Sequence, residues 1–280
     1  MFKSIIDLHL HTTASDGASS PLDMVRDAKD AGLSVISLTD HESLQGMDIA
    51  SAAGDQDITL IPGVELVTWY SNREIHLLGY MFDVKNQQFR SWVKHLGECR
   101  NNTYLKIAAN MNNLGFNIKE SQLIDTIEAG GTLGKNHIIL LLIEAGYITS
   151  KEQAFEILRK YLTPRGQAYV NFDTNPFFEA VSLIKEAGGI PVLAHPGLLW
   201  DDQLVLELLS QNNVGLEVYY YYFGPKRDDM INKYKQIARE KGIIATGGSD
   251  YHGAYSPDIK LGKAEVPNGI IEEMNGYLRG

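Results

Sequence analysis

Residues 4–16 read Ser-Ile-Ile-Asp-Leu-His-Leu-His-Thr-Thr-Ala-Ser-Asp, an apolar strand pattern that ends among metal-binding side chains. Side chains alternate along a strand, so Asp7, His9 and His11 share one face while Ile6, Leu8 and Leu10 share the other. Two imidazoles at i and i+2 can serve one ion, and Asp16 adds a carboxylate shortly after. The pattern recurs along the chain. His41 follows the second apolar run, Glu65 ends the third, and the fourth carries His76. His195 ends a later run, and Asp250 and His252 follow the last. Six of the eight histidines belong to this set, and its members track the C-terminal ends of expected strands. In a closed parallel barrel those ends converge on one mouth, where such folds place their chemistry.

The elements that must position these residues can be read from caps and periodicity. Ser20, Pro21 and Asp23 form a helix start, and Gly32 a helix stop near Ala31. Strands are expected at 33–39, 58–65 and 74–80, with a helix at 46–53. This alternation implies βα units and a parallel sheet. Residues 85–161 instead read as helices, at 88–113, 119–129, 136–145 and 150–161. The α/β rhythm resumes with strands at 168–172, 189–195, 215–219 and 243–246. Helices are expected between them at 176–187, capped by Thr174 or Asn175, and at 202–211 and 225–241. The expected division is a barrel of residues 1–84 and 166–280 with a helical cap domain of 85–165.

Composition narrows the class. A chain of 280 residues with 44% hydrophobic and 21% charged residues can bury a large core. It contains no apolar run long enough for a transmembrane helix, so no membrane role is expected. The N-terminus lacks the features of a signal peptide, and Cys99 is the sole cysteine, which excludes an internal disulfide. A cytoplasmic protein is expected. The net charge of −10 argues against binding long duplex nucleic acid. It does not argue against an anionic substrate, because bound metals can reverse the sign of a site.

Five motifs in order, His9-x-His11, Thr39-Asp40-His41, Pro62-Gly63-Val64-Glu65, Ala194-His195-Pro196 and Gly248-Ser249-Asp250-x-His252, resemble those of the PHP (polymerase and histidinol phosphatase) family. The resemblance implies a distorted (β/α)7 TIM-like barrel, in the α/β class, holding three divalent metal ions. By that resemblance His9, His11, Glu65 and Asp250 hold a first ion. Glu65 bridges to a second, completed by His76 and His195, and Asp16, His41 and His252 hold the third. Imidazole and carboxylate ligands suit manganese, iron or zinc without selecting among them. Three such ions bring roughly +6 and Asp16, Glu65 and Asp250 return about −3, which favours a phosphate ester as substrate. The expected nucleophile is a metal-bridging hydroxide held by Glu65, Asp250, His9 and His11, attacking phosphorus in line. Asp7 and Asp40 are candidates for orienting the first-strand ligands and His41.

Within the family, Gly134-Lys135-Asn136-His137-Ile138, Phe155 with Tyr161-Leu162, and Leu216-Glu217-Val218-Tyr219 resemble the TrpH-like subgroup. That resemblance implies a helical insert that caps the barrel and reads a nucleotide. It also implies phosphate removal from a nucleoside 3′,5′-bisphosphate or from a short 5′-phosphorylated oligonucleotide. Arg100, Lys135 and His137 are the expected phosphate-binding residues. Lys135 and Asn136 stand where the subgroup has Arg and Pro, and lysine lacks the bidentate fork of arginine. Trp200, Tyr219, Tyr220, Tyr221 and Tyr222 are candidates for stacking a nucleobase, and His95 is expected at the surface. Three alternatives stay open: a histidinol-phosphatase-like enzyme, a non-catalytic metal-binding PHP module, and an amidohydrolase, for which no strand-end lysine is found.

Overall fold

The computed structural model describes residues 5–172, 174–210 and 214–279. Ser4, at the head of the opening stretch, and residue 211, the end of an expected helix, lie outside them. The first strand, β1 (Ile5–Leu10), is followed by α1 (Pro21–Asp30), β2 (Leu33–Leu38) and α2 (Gln45–Ala53). Helix α1 begins as its residues dictate: the Ser20 side chain accepts from the Asp23 amide, with Pro21 at the first position. Gly32 then takes φ 80°, a left-handed turn between α1 and β2.

The expected strand 58–65 is two strands, β3 (Thr59–Leu60) and β4 (Gly63–Tyr70). Pro62 falls between them, where it lacks the N–H a ladder needs. β4 runs past Glu65 to Tyr70, so Glu65 is its third residue and not its last. β5 (Arg73–Tyr80) pairs antiparallel with both β4 and β6 (Ile190–Leu193). The expectation of one parallel sheet is therefore corrected here: Ser71 and Asn72, both at positive φ, turn the chain back in a tight hairpin.

After β5 come α3 (Gln87–Asn113), α4 (Glu120–Glu128), α5 (Lys135–Glu144) and α6 (Lys151–Ile157), which continues as a π-turn at Leu158–Leu162. Residues 169–172 form no strand, against expectation. Among the described residues, the chain then runs through α7 (Phe177–Glu186), β6, a 3₁₀ turn (Pro196–Leu199), α8 (Asp202–Leu208), β7 (Gly215–Tyr220) and α9 (Arg227–Lys241). β8 (Ala245–Gly248), a second 3₁₀ turn (Gly253–Tyr255) and α10 (Ile270–Tyr277) complete it. Pro176 precedes α7 without a side-chain cap, and Asn175 instead donates to the Val67 carbonyl.

The strands form a three-stranded sheet, β1-β2-β3, and a five-stranded sheet, β4-β5-β6-β7-β8. Backbone hydrogen bonds join the sheets at both edges. The Asp250 amide donates to the His9 carbonyl at 2.9 Å and the His11 amide to the Tyr251 carbonyl at 3.0 Å. At the other edge the Glu65 amide donates to Thr39 and the Glu42 amide to Glu65. Ile6 and Leu8 of β1 pack with Leu78 and Tyr80 of β5 and with Ile190 and Val192 of β6, so one core draws on both sheets. The Tyr80 hydroxyl crosses it to donate to the Leu8 carbonyl. The helices α3–α6 have a cluster of their own around Ile107, Met111, Leu123, Leu133, Ile138 and Leu142. No helix among the described residues is long and apolar enough to cross a membrane.

Candidate metal centre

Alternation along β1 sends Ile6 and Leu8 into the core and His9 to the opposite face, with His11 just past the strand end. Both imidazoles are fully buried. Between them lie a Glu65 oxygen, 3.3 Å from His9 Nε2 and 3.2 Å from His11 Nε2, and an Asp250 oxygen at 3.5 and 3.2 Å. Glu65 also faces His41, His76 and His195, at 3.3, 2.9 and 3.2 Å. Asp16 lies 3.4 Å from His252. One carboxylate among five imidazoles is thus the centre of the arrangement.

Among the described residues the ligand atoms fall into three groups, each with its members within 4.8 Å of one another: His9, His11, Glu65 and Asp250; His11, Asp16, His41 and His252; and His41, Glu65 and His76. Each pair of groups shares one residue, His11, His41 or Glu65. His195 joins through its contact with Glu65. All nine expected ligands are therefore brought together. His76 arrives by a different route from the one expected. It sits in the middle of an antiparallel strand, opposite Val67, and not at the C-terminal end of a parallel one.

The residues fit divalent cations on two grounds. His9 Nε2, His11 Nε2, His41 Nδ1 and Asp16 Oδ1 are buried and have no hydrogen-bond partner among the described residues, a costly state for polar atoms unless they coordinate something. The electrostatics also call for positive charge. Burial works against ionising Glu65, yet His41, His9 and His76 hold its carboxyl well below the usual range. Burial likewise opposes a charge on His11, but Asp250 and Glu65 lift it to about 10. His41 moves the other way: burial and then Arg100 press it well below the ordinary value.

Local backbone geometry aims these groups. His195, Asp250 and Glu42 all have positive φ, at 27°, 58° and 46°. Such conformations cost non-glycine residues on the order of 1–3 kcal/mol each and persist where the surroundings enforce them. Gly134 and Gly248 leave room for ligands: a Cβ on Gly134 would lie 2.1 Å from Asp16 Oδ2, and one on Gly248 2.3 Å from His9 Cβ.

The supporting residues differ in part from expectation. Asp7 acts on the first strand through the backbone: it accepts from the amides of His9, Ser249 and Gly262 and ties β1 to the last loops. Asp40 does not orient His41. It accepts from the Thr12 amide and from the Thr12 and Ser15 hydroxyls, which shapes the loop that carries Asp16. One residue that holds a ligand ring is Glu217, which the sequence offered only inside a motif. Its Oε1 lies 2.9 Å from His9 Nδ1 and its Oε2 accepts from the His195 amide.

A cavity of about 260 Å³ opens over the cluster, lined by Asp16, His41, Glu65, His76, His195, Asp250 and His252 on one side. Arg100, Lys135, Tyr104, Tyr169 and Phe172 face them. Arg100 is buried and donates to Glu42 at 3.0 Å and to the Leu133 carbonyl. Burial pushes Glu42 up to about 7, against the pull of Arg100. Lys135 donates to Glu74 at 2.9 Å, and Glu74 also meets His76 and the Tyr169 hydroxyl. Glu74 is a cavity carboxylate that the charge count from sequence left out.

His137 does not line this cavity. Its Nδ1 accepts from the Gly134 amide, where it closes the first turn of α5. The tyrosine run does not line it either. Tyr219, partly buried, packs against the core, the Tyr220 hydroxyl donates to Asp250, Tyr222 accepts from the Gly197 amide, and Tyr221 rests on Phe223. Trp200 stands 79% exposed outside the lining. The aromatic walls are Tyr104, Tyr169 and Phe172, which no local motif marked.

Comparison with known proteins agrees with this geometry. The chain is 29% identical over 281 residues to the 5′-3′ exoribonuclease Rnm of Escherichia coli (strain K12), covering 95% of this chain and 91% of that protein. It is 28% identical over 267 residues to a 3′,5′-nucleoside bisphosphate phosphatase of Chromobacterium violaceum, covering 93% and 91%. A solved Bifidobacterium adolescentis protein, presented as a candidate metal-dependent phosphoesterase, superposes with a TM-score of 0.83 at 24% identity, covering 98% and 96%, and has the same fold. The PHP domain model matches residues 7–163, and His195, Asp250 and His252, beyond that match, converge on the same cluster; the chain belongs to the PHP domain family.

Proposed function

We propose that this protein is a metal-dependent phosphoesterase that hydrolyses a phosphate ester of a small nucleotide, either a nucleoside 3′,5′-bisphosphate or the end of a short 5′-phosphorylated oligonucleotide. The observation that carries this reading is the set of three ligand groups joined through His11, His41 and Glu65, facing a cavity with two cations, Lys135 and Arg100. We assign His9, His11, Glu65 and Asp250 to a first ion, Glu65, His76 and His195 to a second, and Asp16, His41 and His252 to a third. Manganese, iron and zinc all suit these donors. When bound, the ions supply Lewis acidity toward phosphoryl oxygens and acidify water at neutral pH.

The chain's own residues do the rest. Lys135 donates to a phosphate oxygen once the substrate displaces Glu74. Arg100, fixed by Glu42, adds fixed positive charge beside it. Tyr104, Tyr169 and Phe172 enclose the nucleoside and exclude water from the cavity. Glu217 keeps the His9 ring turned so that Nε2 faces the cluster. The two bridged sheets fit a distorted (β/α)7 barrel, with residues 1–84 and 166–280 as its body and 85–165 as a helical cap. The single cysteine suits a reducing compartment such as the cytoplasm.

A phosphate-release screen with added manganese tests the reading. Phosphate release from a nucleoside 3′,5′-bisphosphate, or mononucleotide release from a 5′-phosphorylated dinucleotide, should exceed phosphate release from histidinol phosphate. The reverse order would move the substrate to the histidinol-phosphatase type.

A further inference from the structure

Beside the metal-lined cavity lies a second, of about 890 Å³ against about 260 Å³ for the first. Lys135, Asn136, Ser256 and Ile259 line both, so the two adjoin across these four residues. The walls of the second are apolar: Ile139 and Ile143 of α5, Ile148, Leu158, and two aromatic rings, Phe155 and Phe223. Those rings are 60% and 63% exposed, an unusual state for phenylalanine in a wall that touches a reaction site.

Size decides what the two cavities can hold. Small-molecule sites run from roughly 300 to 1,000 Å³. The metal-lined cavity falls below that range, so a substrate larger than one nucleotide must extend out of it. On the other side of Lys135, which lines both cavities, stand the apolar walls. Lys151 Nζ stands 5.9 Å from the Phe155 ring centroid and pairs with Asp258, another residue of the groove wall, so the two charges there offset each other and the rings are the groove's main feature.

We infer that this groove is the subsite for a second nucleoside, joined to the first through the phosphodiester that is hydrolysed, with its base held against Phe155 and Phe223. The inference rests on the phosphoesterase reading above. A water oxygen bonds to phosphorus, the bond from phosphorus to the 3′ oxygen of the first nucleoside breaks, and that oxygen takes up a proton. The second nucleoside departs with the phosphate. The same bond breaks in a nucleoside 3′,5′-bisphosphate, which leaves the groove unused.

The test uses the full chain and a hydrolysis-resistant 5′-phosphorylated dinucleotide whose second base is 2-aminopurine. Binding to the wild type should quench its fluorescence. Phe155→Ala with Phe223→Ala should raise Kd roughly tenfold, the size expected of a lost base–aromatic stack. Phe155→Trp alone should keep binding tight, since it retains a stacking face. In turnover, the kcat/KM ratio of a natural dinucleotide to a nucleoside 3′,5′-bisphosphate should fall by a similar factor in the double alanine variant. Equal Kd and an equal ratio in wild type and variant would overturn the subsite while leaving the phosphoesterase reading in place. A metal-loaded wild type that hydrolyses neither substrate would overturn that reading and the subsite with it.

Discussion

His9 Nδ1 lies 2.9 Å from Glu217 Oε1, and Nε2 of the same ring lies 3.3 Å from Glu65 Oε2, with all three side chains buried. One ring nitrogen is thus occupied by a carboxylate, which leaves the other to face the ligand cluster. Outer partners of this kind set the tautomer and raise the basicity of a ligating histidine. Glu217→Gln should weaken metal binding by roughly 10- to 100-fold, the usual effect of losing such a partner. Competition with a chromophoric chelator measures it; unchanged affinity would remove Glu217 from the account.

Gly134 is a second lever on the centre. Its Cα stands where any Cβ would strike the Asp16 carboxylate. Gly134→Ala should therefore displace Asp16 from His41 and His252 and lower the number of ions bound per chain, with helix α5 retained. Elemental analysis of the purified variant beside far-UV circular dichroism checks both halves of that statement.

Arg100 and Lys135 should behave differently, although both were expected to bind phosphate. Arg100 pairs with Glu42, and both are buried. Arg100→Met leaves a buried carboxylate without its partner, which costs on the order of 3–5 kcal/mol. Urea denaturation should show that loss, and Glu42→Gln in the same chain should recover part of it.

Lys135 is half-buried at the cavity wall, and its partner Glu74 can release it. Lys135→Ala should raise KM for a phosphorylated substrate by roughly tenfold or more, as expected for a charge-assisted hydrogen bond, with a smaller change in kcat. A change confined to kcat would contradict a binding role.

The ligands were legible because each falls at or near the end of an apolar run, so local pattern alone sends His9, His11, His41, Glu65, His195, Asp250 and His252 toward one edge. The first helix was legible from Ser20 and Pro21. What stayed hidden depends on contacts distant in sequence. The antiparallel course of β5 follows from a two-residue turn at Ser71-Asn72, and the apolar pattern of a strand carries no direction. Glu217 lies 208 positions from His9, and nothing near it announces a ligand partner. Tyr219–Tyr222 looked like a stacking surface because four tyrosines in a row are conspicuous, but their hydroxyls and rings are absorbed by Asp250, Gly197, Phe223 and the core. The irregular segment that supplies Tyr169 and Phe172 has a strand's composition, since β-branched and aromatic residues also suit a cavity wall.

Metal dependence itself is the most direct test. Protein stripped with a chelator should release no phosphate from a nucleoside 3′,5′-bisphosphate. Activity should return as manganese is titrated in and level off as bound metal approaches three ions per chain, the number of ligand groups in the centre. Full turnover by the stripped protein, or saturation with one ion or none bound, would contradict the account.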